Sequence, residues 1–437
     1  MHSFHYRDGE LFCENVALSR AAHEFGTPLY VYSAGTILDH YRRLDTALDP
    51  LDHLICYAVK ANSNGAILKM LAQAGAGFDI VSGGELFRVL RAGGAAEKCT
   101  FAGVGKSREE IEYALDQGVF SFNVESEAEL ERIDRVARDK KMQAPIALRV
   151  NPDVDAGTHR YVSTGTSENK FGIALDRVAA VYERAAGLAN LRIRGIQMHI
   201  GSQITGGEPF ANAIAKVIPL IRDLKQRHPI EFFSIGGGMG IIYRRALESG
   251  SGKWWHQHNG EPTAFSVVDY RDAVVPPLRE LGLRVLIEPG RFLVGNAGVL
   301  LTRVQYLKQT AQKKFVIVDA GMNDLIRPAL YQSYHEIVPV REPGGAELET
   351  VDVVGPVCET GDFFAENREL PNVEEGDLLA LMSAGAYGFA MASNYNSRPF
   401  PAEVLVDGDL ARLIRRRQTV EDLVAQECSD APSPSCN

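Results

Sequence analysis

The chain has few of the features that would assign a protein to a special class. It has only six cysteines in 437 residues, Cys13, Cys56, Cys99, Cys358, Cys428 and Cys436, with no CxxC pair and no zinc-type spacing. That scatter favours reduced thiols over a disulfide framework, and no metal site is expected. No run approaches the roughly 20 apolar residues that a membrane helix needs, and "MHSFHYRDGELFCEN" has no apolar leader, so a cytoplasmic location is expected. Basic charge is also scarce, with a formal net charge of -10, which argues against a nucleic-acid surface. The one basic cluster, Arg415 to Arg417, is expected on the solvated face of a helix. What remains is an ordinary globular composition, 45% hydrophobic and 23% charged, long enough for two domains.

Short apolar or β-branched runs recur at 55–59, 78–81, 100–103, 120–124, 145–150, 193–199, 231–235 and 284–288. Amphipathic stretches of helical length lie between them, such as 65–75, 107–117, 126–139 and 210–227. Strand then helix, eight times over, predicts a (β/α)8 TIM-type barrel in an α/β protein, spanning 35–290. A doubly wound open sheet has the same local pattern, so periodicity alone does not close the barrel. Beyond about residue 295 the runs VLLTRVQYLKQ, KKFVIVDA, HEIVPV, TVDVVGPVC, DLLALMS and AEVLVDG follow with few helices between them. They predict a second, mostly β domain, 291–425, with which residues 1–34, including LYVYS at 29–33, are grouped. The tail 426–437, ending "CSDAPSPSCN", is expected to be disordered.

In such a barrel, chemistry collects where the strands end, because loops from separate strands converge there on a rigid scaffold. Lys60 follows the first strand in "YAVKAN", and its apolar neighbours predict a buried ammonium, which is costly unless paired or neutralised. Asp79 lies on the second strand, Arg149 on the fifth, His199 ends the sixth, Gly236, Gly237 and Gly238 follow the seventh, and Glu288 ends the eighth. Each has a plain structural reading by itself. Together they make the set a pyridoxal 5'-phosphate site needs. A lysine without its proton attacks an aldehyde, glycines let backbone N–H groups approach a phosphate, and a carboxylate keeps a pyridine nitrogen protonated.

The motifs "YAVKANSN" (57–64), "GFDIVSGGEL" (77–86), "YVSTGTSENKFGI" (161–173), "MHIGSQI" (198–204) and "SIGGGMGI" (234–241) run along the first half. The second half adds "EPGRFLV" (288–294), "IRPALYQSYHEI" (326–337), "GPVCETGDFF" (355–364) and "GAYGFAMASNYNSRPFPAEVLV" (385–406). By these the chain resembles the fold-type III pyridoxal phosphate decarboxylases, most closely the diaminopimelate decarboxylase family of lysine biosynthesis. The resemblance implies a barrel with a C-terminal β domain, and decarboxylation of meso-2,6-diaminopimelate to L-lysine. It implies Lys60 as the Schiff-base lysine, Glu288 as the partner of the pyridinium and His199 stacked on the ring. Ser202, the loop ending at Gly238, the Gly290–Arg291 backbone and Tyr387 would hold the phosphate, while Asp79 and Arg149 position Lys60 and His199. Substrate contacts fall on Arg291, Arg327, Tyr331, Glu359 and Tyr387, with Cys358 as proton donor. Two arginines suit a distal carboxylate and Glu359 a distal ammonium. The family further implies a homodimer with shared sites.

The readings left open are decarboxylation of another diamino acid such as carboxynorspermidine, or a non-catalytic cofactor-binding regulator of the same fold. The segment 241–265, with both tryptophans and with His256 and His258, is longer than the family's usual connection and has no assigned role.

Overall fold

The computed structural model describes residues 1–154, 170–261, 264–342, 344–345 and 347–427. Most of the 161–173 motif and all of "CSDAPSPSCN" lie outside them. The chain divides into two compact units, the first built from Met1, Ala34–Ile242 and Ser251–Ala297. The second comprises His2–Ser33, Tyr243–Gly250 and Gly298–Asn437. Residues 243–250, which lie in sequence between barrel segments, thus go with the second unit.

Eight parallel strands form the first unit: β1 His53–Ala58, β2 Gly77–Ile80, β3 Cys99–Phe101, β4 Ser121–Val124, β5 Ala144–Asn151, β6 Leu191–Met198, β7 Phe232–Ser234 and β8 Arg284–Ile287. Pairing of β8 with β1 and of β4 with β5 closes the ring, which excludes the open sheet. Helices at Gly65–Gln73, Arg108–Gln117, Glu127–Asp139 and Glu208–Arg227 occupy the amphipathic stretches. Three of their starts are set by side-chain caps, where Asn64, Ser107 and Ser126 each accept a first-turn backbone N–H, while the fourth has proline in its first turn.

The interior of the barrel changes character along its length. Leu54, Cys56, Phe120, Ala147, Phe232 and Leu286 form an apolar cluster. Side chains two positions further along a strand share its face, so Arg149, Ser234 and Glu288 continue the same inner wall toward the C-terminal end. Asp79, Thr100, Asn123 and Gln197 are buried with them on neighbouring strands. An apolar plug therefore underlies a polar layer, and the polar layer is where the strands end.

In the second unit, one sheet runs in the order Phe363–Pro371, Leu348–Val354, Lys314–Val318, Gly298–Gln309, Leu29–Ser33, Ala402–Asp407 and Leu410–Arg415. Leu378–Leu381 joins it through Gly298–Gln309 and also pairs with Ile337–Pro339. The LYVYS segment is fully buried here, pairing with Gly298–Leu301 on one side and Ala402–Val406 on the other. Its core joins Phe4, Leu11, Leu29, Val31, Val299, Leu301, Met382 and Val404.

The basic cluster is not helical. Leu410–Arg415 is the returning strand of a hairpin turned at Gly408, whose φ of +60° suits glycine. Arg415 pairs with Glu403, Arg416 with Asp422, and Arg417 donates to the carbonyls of Phe25 and Pro28. No helix among the described residues is long and apolar enough to cross a membrane.

Candidate active site

Strand β1 gives way to a single 3-10 turn, Val59–Ala61, that carries Lys60. The turn is braced by the Glu288–Pro289–Gly290 segment: Ala58 N–H donates to the Pro289 carbonyl at 3.0 Å. A Cβ on Gly290 would lie 3.0 Å from that of Ala61 and 3.1 Å from that of Ala58. Only glycine allows so close a fit. Lys60 itself is not buried, which corrects the expectation from its apolar neighbours: its side chain is 42% exposed, and Nζ lies 3.5 Å from Asp79 Oδ2. The turn swings the side chain off the inner wall into the mouth, so the ammonium is paired and solvated rather than sealed in. Asp79 is the buried partner. Burial pushes its carboxyl up, against the opposing pull of Lys60 and Arg149. Its Oδ1 has no hydrogen-bond partner among the described residues.

Glu288 stands on the same wall, past the end of β8. Ser234 Oγ donates to its Oε1 at 2.7 Å and Gln197 Nε2 to its Oε2 at 3.0 Å. Burial, reinforced by the Asp79 charge, pushes the Glu288 carboxyl up to about 7 despite those two donors. His199 follows β6, and the backbone N–H of Gly237 donates to its Nδ1 at 3.1 Å. An accepting Nδ1 leaves the ring proton on Nε2. Burial, with the charges of Arg149 and Lys60, holds His199 well below the usual imidazole value, so the ring is neutral.

Arg149 is fixed in turn by Glu125, with Nη1 at 2.9 and 3.0 Å from its two oxygens, and it lies over the Phe171 ring at 4.8 Å. Glu125 also accepts the N–H groups of Gly103 and Gly172. Its own N–H donates at 2.8 Å to Glu129, which holds the buried Lys106 ammonium at 2.6 Å. Glu125, Gln197 and Ser234 were not singled out from the sequence. The signal was there: Gln197 and Ser234 each lie two residues before a predicted site residue, His199 and Gly236, hence on a shared strand face.

The glycine triplet packs tightly. A Cβ on Gly237 would lie 2.3 Å from the Glu288 carbonyl oxygen, and one on Gly238, at φ +110°, 2.6 Å from that of Gly201. Gly236 N–H is donated to Ser234 Oγ and Gly237 N–H to His199, so of the three only Gly238 makes no such inward donation among the described residues. Arg291, buried at the start of the short helix Arg291–Val294, donates from Nη2 to Ser202 Oγ at 3.0 Å. The first unit thus brings together Lys60, Asp79, Arg149, His199, Ser202, Gly236, Gly237, Gly238, Glu288, Gly290 and Arg291.

The remaining predicted residues belong to the second unit. Arg327 is buried at the head of the helix Arg327–Tyr331, bonded to His335 and Ser333 and stacked at 4.8 Å on Tyr243. Tyr331 is half-buried at the other end of that helix, and Tyr387 adopts φ +58° in the segment after Leu381. Cys358, Glu359 and Thr360 are exposed. Cys358 N–H donates to Asn396 Oδ1 at 2.9 Å, and Tyr395 OH donates to Glu359. Cys358 is therefore no buried inert thiol, unlike Cys13, Cys56 and Cys99. The unassigned 241–265 segment holds a small aromatic cluster, with His258 stacked on Trp254 at 4.4 Å and Trp255 edge-on at 5.1 Å.

Comparison with known proteins shows the family. Residues 34–295 match the pyridoxal binding domain of the pyridoxal-dependent decarboxylases. A diaminopimelate decarboxylase of Pseudomonas fluorescens is 54% identical over 433 residues, covering 98% of this chain and 99% of its own. The solved diaminopimelate decarboxylase of Helicobacter pylori, complexed with L-lysine, is 39% identical, with a TM-score of 0.86 over 94% of this chain and 99% of the other. That of M. jannaschii, also with L-lysine, is 35% identical and reaches 0.89 over 98% of each chain.

Proposed function

The chain belongs to the pyridoxal-dependent decarboxylases, in the diaminopimelate decarboxylase family, and from that premise we propose how its own residues carry the reaction. The reaction is decarboxylation of meso-2,6-diaminopimelate to L-lysine and carbon dioxide, with pyridoxal 5'-phosphate as cofactor. The relatives give no support to a carboxynorspermidine enzyme or a non-catalytic regulator, since those matching at 44% to 54% identity are diaminopimelate decarboxylases.

The barrel mouth suits the cofactor by its donor chemistry. Lys60 offers an amine, Glu288 a buried carboxyl poised near 7 that a cationic ring nitrogen would ionise, and the 236–238 backbone a surface with no room for side chains. Ser202, Gly238, the Gly290–Arg291 backbone and Tyr387 would hold the phosphate, while Gly236 and Gly237, whose N–H groups go to Ser234 and His199, would shape the loop around it. When bound, pyridoxal phosphate supplies an electron sink for the pair left by the departing carboxylate. Lys60 would hold the cofactor through its amine, and Asp79, 3.5 Å from Nζ, would keep that amine in place. Glu288, held in register by Gln197 and Ser234, would favour a proton on the ring nitrogen. His199, neutral and pinned through Nδ1, presents a flat face for stacking, with Arg149 and Glu125 behind it.

Arg291 and Arg327 would pair with the distal carboxylate, Glu359 with the distal ammonium, and Tyr331 and Tyr387 would border the substrate. Cys358 Sγ returns a proton to Cα. We further propose a cytoplasmic homodimer in which the partner subunit's Cys358 completes each site. Support for the dimer comes from the exposure of Cys358, Glu359 and Thr360, since a proton donor needs shelter from water to work selectively. Free thiols at Cys13, Cys56, Cys99 and Cys358 support the location.

The observation that carries this reading is the pairing of Lys60 with Asp79 in the barrel that also buries Glu288 under Ser234 and Gln197. The test is carbon dioxide release from meso-diaminopimelate by protein stripped of pyridoxal phosphate, before and after the cofactor is restored. Release only on restoration is expected; none in either state contradicts the assignment.

A further inference from the structure

We propose that His335 is a positioning residue for substrate selection: as one fixed tautomer, it aims the guanidinium of Arg327 at the carboxylate on the far end of the substrate. The inference rests on the reading of Arg327 given above. Both side chains are buried, Arg327 at 5% exposure and His335 at 0%. His335 Nδ1 lies 2.8 Å from the Met382 carbonyl oxygen, which can only accept, so Nδ1 carries the proton. Nε2 lies 2.9 Å from Arg327 Nη1, which can only donate, so Nε2 offers a lone pair. One neutral tautomer satisfies both bonds, whereas the protonated ring would set one donor against another.

The ring is fixed on further sides. Tyr243 meets it edge-on at 5.4 Å and 83°, and the face of the same Tyr243 lies 4.8 Å from the Arg327 guanidinium carbon. The His335 carbonyl accepts from Arg368 Nη1 at 2.9 Å, and Ser333 Oγ accepts from Arg327 Nη2 at 3.3 Å. An arginine is a long, many-rotamer side chain, and it reads a carboxylate by two parallel bonds only when its plane is fixed. A carboxylate at position 335 would also fix it, but would cancel the charge that substrate recognition uses. A neutral imidazole fixes the plane and leaves the charge in place.

The experiment measures inhibition constants of L-lysine and cadaverine on the holoenzyme. L-lysine carries the carboxylate at issue, and cadaverine is the same chain without it. His335→Leu is expected to weaken L-lysine by about 10-fold, the scale of one misaligned charge-assisted contact, and to leave cadaverine within about twofold. His335→Gln, whose amide can donate to Met382 and accept from Arg327, should restore most of the L-lysine affinity. If His335→Leu yields no folded holoenzyme, His335→Asn carries the test with the same expected loss, because its shorter side chain spans only one of the two bonds. Equal loss of both ligands, or loss of neither, overturns the proposal. Arg327→Ala separates the levels. If it abolishes the preference for L-lysine while the His335 variants retain it, positioning by His335 is wrong and the reading of Arg327 stands; if Arg327→Ala itself keeps the preference, that reading fails.

Discussion

Glu288 and Cys358 are assigned to the same reaction, yet their surroundings are opposites. Glu288 is buried, with a donor on each oxygen and Asp79 close enough to help raise its pKa. Cys358 is exposed, between buried Val357 and exposed Glu359, and among the described residues only its backbone N–H is held, by Asn396. The barrel mouth is tuned by its own chain: Glu125 sets Arg149, Gly237 sets His199, Gln197 and Ser234 set Glu288. Nothing comparable surrounds Cys358. A group whose protonation depends on burial is finished within the fold, whereas the proposed role of Cys358 calls for a shelter that its own segment does not provide among the described residues.

The comparison can be broken by substitutions on either side. Lys60→Ala should have the largest effect, a loss of turnover of at least about 10³-fold together with the visible absorbance of the lysine-linked cofactor. Retention of both would remove Lys60 from the site. Cys358→Ala should lower kcat by about 10²-fold or more, as removal of a proton donor does, while cofactor absorbance stays unchanged. A matching loss of cofactor would show that the exposed segment has a structural task instead. Arg327→Ala should reduce kcat/KM for diaminopimelate by about 10- to 100-fold, the range for a charge-assisted contact, with cofactor binding intact. Weaker cofactor binding would move Arg327 to the phosphate.

A smaller effect sharpens the electrostatic side. The Glu288 carboxyl is raised from 4.5 to about 7 by burial, so between those values the native state binds more protons than the unfolded chain. Stability of the cofactor-free protein should therefore fall as pH rises through that interval. Glu288→Gln removes this term, and Gln197, whose Oε1 has no hydrogen-bond partner among the described residues, can turn its amide to accept from the new side chain. Thermal melts of the two cofactor-free proteins at pH 5 and pH 7 should show the shallower decline in the variant. Parallel slopes would mean that the native Glu288 carboxyl does not bind more protons than the unfolded one in this interval.

The eight barrel strands were legible because buried parallel strands are continuous apolar runs, and the glycine loop and "EPGR" because each breaks such a run abruptly. Closure was not, since local periodicity is blind to whether β4 reaches β5. The exposure of Lys60 escaped because its neighbours 57–59 are buried; a single turn after the strand redirects one side chain without altering the pattern. Arg415 to Arg417 misled for a related reason: LARLIR at 410–415 has no two-residue alternation to mark a strand, and the run of three arginines suggests a charged helix face. Gln197 and Ser234 escaped because a polar residue inside a strand reads as an outward one, and only a barrel with a polar upper layer turns it inward; Glu125 follows Val124, past the strand end, where a carboxylate reads as solvent-facing. Whether the site residues proposed from family motifs meet within one chain is a property of assembly, which local sequence does not carry.

Subunit mixing tests whether the partner subunit's Cys358 completes each site. Lys60→Ala and Cys358→Ala homodimers should each be impaired, but a mixed dimer with shared sites has one site with both native residues and one with neither. Random pairing makes about half the dimers mixed, so roughly a quarter of all sites should recover in a two-fold symmetric dimer. Carbon dioxide release after exchange of the two variants is predicted to rise to about that fraction of wild type; no rise, with exchange demonstrated by differential labelling, would place Cys358 in its own subunit's site and contradict the account.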